Sequence, residues 1–337
     1  MLAVVAGCAQ PQPPDVVSPK PFERTVIGGV VGISSTFGHV VDLDAQVEVV
    51  SSGYGWSEGP VWVNAEVGLL FSDVPGNTIY RWHPDSGTTL WLTPSGSTGS
   101  GTPGGEGGSN GLTLDAAGRL VLAQHGDRRV ARLTGSLDMP APQFETIIDA
   151  YEGQAFNSPN DLVYGSDGSL YFTDPTYGLA GPDEAELDFA GVYRLSIAGE
   201  LTLIDGALTR PNGIALSPDG RTLYVANSDP GASLWMAYSV QADGHATDGR
   251  LFFDATHLVS EDNPGFPDGL SLDVAGRLFA TGPGGVLVFS PEGEHLGTIR
   301  TDGPTANLAF GEDGTVLFLT SNSHLARIQT LTRGLGF

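Results

Sequence analysis

With 337 residues, 40 % hydrophobic and 16 % charged, and with 48 glycines and 23 prolines, the chain is globular, long enough for one large domain, and too rich in turn residues for a helical bundle. Its formal charge of −24, with Lys20 the single lysine among 15 basic residues, repels phosphate backbones and anionic headgroups, so nucleic acid is set aside as a partner. Cys8 is the one cysteine, which excludes an intrachain disulfide and a cysteine-based zinc cluster.

In chain order, MLAVVAGC reads as the tail of a signal peptide, with Val5-Ala6-Gly7-Cys8 in the pattern of a bacterial lipoprotein processing box. Small residues there fit a peptidase and Cys8 takes the lipid. Residues 9–21 are Pro-rich, as a tether is. The expectation is an exported protein, periplasmic or anchored through Cys8; with no Lys or Arg before the apolar run, the alternative is a cytoplasmic protein whose N-terminus is no signal. No other stretch reaches the roughly 18 apolar residues of a membrane-spanning helix. Residues 22–45 form an extension of unassigned structure, and 46–337 form the domain.

That domain is a repeat. The segments NGLTLDAAGRLVLAQHG from Asn110, NDLVYGSDGSLYFTDP from Asn160, NGIALSPDGRTLYVANSD from Asn212 and DGLSLDVAGRLFATGP from Asp268 share one pattern. A polar leader precedes a glycine (Gly118, Gly168, Gly220, Gly276) by eight residues, with apolar alternation before the glycine and an apolar run after it. This is strand, tight turn, strand, with the glycine supplying the positive φ of a hairpin. Looser copies begin at Glu58, whose turn is longer and ends at Gly68, and at Ala306, which keeps the spacing to Gly314. Leaders at 58, 110, 160, 212, 268 and 306 leave room for four strands each, with no helical periodicity between. The predicted fold is all-β, a six-bladed β-propeller with four-stranded blades, in which residues 46–50 close the ring by completing the blade begun at Ala306. A β-sandwich is the alternative, and it gives no reason for so regular a repeat.

In a propeller the innermost strands line the central channel, so the leaders form a ring at one mouth. Two carboxylates (Glu58, Asp268) and three amides (Asn110, Asn160, Asn212) facing inward are costly unless something satisfies them. One divalent cation does so, and oxygen ligands without Cys or His suit Ca²⁺, with Mg²⁺ and Mn²⁺ as alternatives. The competing reading is that these residues merely cap turns. Asp268 is the candidate catalytic base or nucleophile. His125 and Asp174 follow the second strand of a blade, where loops return to the same mouth, and are candidate substrate contacts. For His125 a structural role within the loop 126–129 competes. Segments 94–109, 177–190 and 260–267 are candidate lids that set substrate choice.

The stretches EGPVW from Glu58, SNGLTLDAAGRLVLAQHGDRRVAR, NSPNDLVYGSDGSLYFTDPTYGL, RPNG from Arg210 and PDG from Pro267 resemble the gluconolactonase family of propellers, grouped with senescence marker protein (regucalcin) and luciferin-regenerating enzyme. The resemblance runs from 46 to 328, with five motifs in order. It implies that Glu58, Asn160, Asn212 and Asp268 contact metal, that Asn160 and Asn110 contact substrate, and that the activity is hydrolysis of sugar lactones. Alternatives are a phosphotriesterase or aryl esterase at the same metal, and a non-catalytic ligand-binding propeller. A quinone-dependent sugar dehydrogenase needs basic residues that the ring lacks.

Overall fold

The computed structural model describes residues 25–99 and 106–337; the proposed processing box at Cys8 and its tether lie outside them. Six antiparallel sheets surround one channel. Blade 1 comprises Ser57–Asn64, Gly68–Asp73, Thr78–His83 and Gly87–Leu92, and blade 2 Ser109–Leu114, Leu120–Gln124, Arg129–Leu133 and Phe144–Ile148. Blade 3 comprises Leu162–Tyr164, Leu170–Asp174, Gly191–Leu195 and Leu201–Asp205, and blade 4 Pro211–Leu216, Thr222–Asp229, Ala232–Val240 and Ala246–Asp254. Blade 5 begins Leu270–Leu272, Leu278–Gly282, Gly285–Phe289 and His295–Arg300, and blade 6 begins Asn307–Gly311, Val316–Ser321 and His324–Gln329. The six-bladed propeller expected from the repeat is the observed fold.

The glycine at the turn of each inner hairpin has positive φ in all six blades: Gly68, Gly118, Gly168, Gly220, Gly276 and Gly314. In the five blades with the short spacing its N–H bonds the carbonyl three residues earlier, as in Gly118 to Asp115 at 2.8 Å. Second strands are buried on both faces, as are the third strands of blades 3 and 5, and blade packs against blade through residues such as Leu69, Leu70, Phe71, Phe172, Tyr193, Trp235 and Phe289. That sandwich of sheets is why these strands read as continuous apolar runs.

Val47–Ser52 pairs with His324–Gln329 and supplies the fourth strand of blade 6. The extension before it is not separate from the domain. Thr25–Ile27 adds a fifth strand to blade 6, and Gly29–Gly32 adds a fifth strand to blade 5, beside His295–Arg300. Between them Gly28, at φ +58, lets the chain step from one blade to the next; a Cβ there would lie 1.9 Å from the Arg300 carbonyl oxygen. Phe37 then enters the core between blades 5 and 6, among Val47, Phe279, Val286, Ile299 and Phe310. The first 20 described residues therefore tie two blades together. Among the described residues no helix is long and apolar enough to cross a membrane.

Phe37→Ala is expected to destabilise the fold by about 3–5 kcal/mol, as for other large aromatic side chains deleted from a core. Urea unfolding followed by tryptophan fluorescence measures this. A loss below about 0.5 kcal/mol, the usual cost at a surface position, would mean that the segment is a passive extension.

Candidate functional site

The leaders are held by their backbones. Within a blade, the N–H groups of Asn160, Asp268 and Ala306 bond the carbonyls of Thr173, Thr281 and Thr320 at 2.8, 3.1 and 2.8 Å. Between blades, Ser72 Oγ donates to the Asn110 carbonyl at 2.9 Å, Thr173 Oγ1 to that of Asn212 at 2.7 Å, and Thr281 Oγ1 to that of Ala306 at 2.9 Å. The Asn160 carbonyl accepts from Gly111 N at 2.8 Å. After Glu58, Asn110, Asn212 and Asp268 the approach is so close that only glycine fits: a Cβ on Gly59, which sits at φ +45, would fall 2.1 Å from the Asn110 carbonyl oxygen, and one on Gly213 2.0 Å from that of Asp268. Main-chain needs are met by neighbours, and the side chains are left to the channel.

There they line a cavity of about 330 Å³ that contains Glu58, Asn110, Asn160, Asn212 and Asp268 together. At the sixth position Pro304 and Thr305 face the cavity. The Oδ1 atoms of Asn110, Asn160, Asn212 and Asp268 are buried and have no hydrogen-bond partner. Leaving such acceptors unpaired costs on the order of 1–3 kcal/mol each. Glu58 is fixed by Trp56 Nε1, which donates to Oε1 at 3.2 Å, and by Gly59 N, which donates to Oε2 at 3.1 Å. Burial pushes the Glu58 carboxyl up to about 8, with the Asp161 and Glu106 charges adding to it. Burial, then Glu58, raises Asp268 well above the ordinary carboxylate range. Three amide oxygens and the Asp268 Oδ1, inward-facing and unpaired, together with the oriented Glu58 carboxylate fit a hard divalent cation, whose +2 charge would offset Glu58 and Asp268.

Deeper in the channel, Asp161 accepts from Leu162 N at 2.9 Å and Ile214 N at 3.3 Å. Burial raises it to about 6.

Two of the residues expected at the mouth stand behind it. Asp174 does not reach the cavity: Oδ2 accepts from Asn157 N at 2.8 Å and Oδ1 from Ser158 N at 2.7 Å, so the carboxylate braces the turn that delivers Asn160. The same register recurs in other blades. Asp73 Oδ1 accepts from Gly55 N and Trp56 N ahead of Glu58, and Asn227 Oδ1 from Arg210 N ahead of Asn212. His125 is buried with no hydrogen bond on either ring nitrogen, and burial lowers it to about 4. Its nearest acid is Glu106, with Nδ1 to Oε2 at 3.8 Å.

The cavity wall contains residues that the leader pattern alone does not single out. Trp56, Arg210, Phe266 and Pro304 all line it, and each lies two positions before a leader. That register was readable in the sequence. Glu106, Tyr177 and Phe266 come from the three candidate lids, so each lid gives the cavity a wall. Tyr177 is raised to about 12, chiefly by burial and further by Asp268, so its hydroxyl stays a donor.

The family model described as SMP-30/Gluconolactonase/LRE-like region matches residues 56–323, which spans all six leaders. The chain belongs to this family. It is 40 % identical over 340 aligned residues to a gluconolactonase of Zymomonas mobilis, covering 98 % of this chain and 93 % of that protein. A pentonolactonase of Haloferax volcanii is 26 % identical, covering 78 % and 80 %. Among solved structures, a gluconolactonase from Xanthomonas campestris superposes with a TM-score of 0.77 at 30 % identity, covering 91 % of this chain and 97 % of that one.

Glu58, Asp174 and Asp161, at about 8, 7 and 6, all lie above the ordinary carboxylate value of about 4. The unfolded chain therefore releases these protons first as pH rises, and the stability they contribute below pH ~4 is lost through the folded-state values. The thermal midpoint of the metal-free protein is expected to fall between pH 5 and 8. A flat or rising midpoint in scanning calorimetry across that window would contradict the burial of these groups as acids.

Proposed function

We propose that this protein is a lactone hydrolase that opens sugar lactones at one divalent cation, Ca²⁺ ahead of Mg²⁺ or Mn²⁺, held by Glu58, Asn160, Asn212 and Asp268. The observation that carries the reading is the set of unpartnered buried oxygens on Asn110, Asn160, Asn212 and Asp268 around one cavity. Its membership of a family with gluconolactonases supports the choice of substrate. When bound, such a cation supplies Lewis acidity toward a carbonyl oxygen.

The rest of the chemistry belongs to the chain. Trp56 and Gly59 hold the Glu58 carboxylate in one orientation. Asn110 and Asn160 position the lactone ring, and Tyr177 offers a protonated hydroxyl beside Asn212 and Ser228. Phe266 and Pro304 exclude bulk water from the cavity wall. Asp268 takes a proton from water as its oxygen adds to the carbonyl carbon. The ring C–O bond then breaks, and the proton passes to the departing ring oxygen, leaving a hydroxy acid.

A pH-indicator assay of δ-gluconolactone should show activity that chelator removes and Ca²⁺ restores. At saturating Ca²⁺, Asp268→Asn is expected to lower kcat by about 100-fold, near 3 kcal/mol of barrier. Recovery to near wild type at high Ca²⁺ would leave Asp268 as a ligand only. Failure to open any lactone with any of the three cations, alongside cleavage of a phosphotriester or aryl ester, would overturn the lactonase reading.

A further inference from the structure

Glu106 is a third carboxylate in the cavity, and neither the leader ring nor the hydrolytic step uses it. Its place is built. His125 N donates to the Gly108 carbonyl at 3.2 Å, Gly108 N to the Val74 carbonyl at 2.9 Å, and Ser109 N to Ser95 Oγ at 3.1 Å. Gly126 packs so tightly on this segment that a Cβ would lie 2.5 Å from the Gly107 carbonyl oxygen. Glu106 thus enters the cavity from blade 2, on the side of Asn110, whose buried Oδ1 is unpartnered. It lies close enough to the ring for its charge to act on both Glu58 and Asp268.

Among the described residues the cationisable group in contact with it is the His125 imidazole, Nδ1 to Oε2 at 3.8 Å, and burial keeps that ring neutral. Arg210 lines the same cavity at its exposed rim, within range of the Asp229 charge. Glu58 and Asp268 would already offset a +2 cation, so, with Arg210 counted at the exposed rim near Asp229, the third carboxylate leaves the inner site with a net charge near −1. Such a site disfavours anionic substrates, and it favours neutral ones that bring hydrogen-bond donors to the half-exposed Glu106 carboxylate and the buried Asn110 Oδ1. It also repels the carboxylate that lactone opening yields, which helps product leave.

We propose that Glu106 determines specificity by accepting hydrogen bonds from the ring hydroxyls of a neutral polyhydroxylated lactone. This rests on the lactonase reading above and adds to it a residue that would discriminate hydroxylated from bare lactone rings. A lactone without hydroxyls leaves Glu106 with no donor, which a site built for hydrogen bonding penalises.

The test compares δ-gluconolactone with δ-valerolactone, the same ring without hydroxyls, on the Ca²⁺-loaded protein. Glu106→Gln is expected to lower kcat/KM for gluconolactone by about 10- to 100-fold, the range for a hydrogen bond to a charged group, and to leave valerolactone within about twofold. Equal losses on both would overturn the proposal and place Glu106 in the chemistry. No loss on either would also overturn it. If the wild type opens neither lactone, the lactonase reading fails, and titration calorimetry with anhydroglucitol, a polyol ring lacking the carbonyl, decides separately. Wild-type binding weakened about tenfold or more in Glu106→Gln upholds hydroxyl recognition; equal binding, or none, overturns it.

Discussion

Everything at this site depends on the main-chain hydrogen bonds that join each leader to its own and the adjoining blade. The carbonyls of Asn110, Asn160 and Asn212 are met by Ser72 Oγ, Gly111 N and Thr173 Oγ1, so the backbone at the channel mouth needs nothing further. The side-chain oxygens are then left facing a cavity with no protein donor. A structure that satisfies its backbone so fully and leaves four adjacent side-chain acceptors bare has placed an unmet demand at one point in space. The fold supplies rigidity around that point, because the six inner strands pack around one channel and the N-terminal strands clamp blades 5 and 6.

Charge follows from the same geometry. Glu58 and Asp268 each raise the cost of ionising the other, and Asp161 beneath them adds to it. On the proposed reading a cation at the mouth would resolve this conflict, and proton and metal occupancy of the site would then be coupled. The surrounding wall has a different task. Trp56 orients Glu58, Tyr177 keeps its proton, and Phe266 contributes apolar surface. On the proposed reading the floor would act on a carbonyl and the wall would select what reaches it.

Much of this was legible in the sequence because a propeller converts spacing into position. Asn160 and Asp268 lie far apart in the chain, yet identical registers in two repeats bring them to one cavity. The turn glycines were legible for the same reason, and all six have positive φ. The extension was not legible. Thr25–Ile27 and Gly29–Gly32 are short edge strands whose partners lie at opposite ends of the chain, so no local periodicity marks them. Asp174 was legible as a repeat position but misleading as a site residue, since the register that ends the second strand braces the incoming turn instead of facing the cavity. Glu106 belongs to an insert outside the repeat, and only its packing against the end of blade 2 reveals where it points.

The central claim is that the leader oxygens hold one divalent cation. A crystal grown with Mn²⁺ and measured at a wavelength where manganese scatters anomalously tests it directly. The account predicts one strong peak in the channel mouth, within about 2.0–2.6 Å of oxygens from Glu58, Asn160, Asn212 and Asp268, the span of bond lengths to hard cations. No peak in the mouth, or a peak ligated by other residues and not by these four side chains, would contradict it.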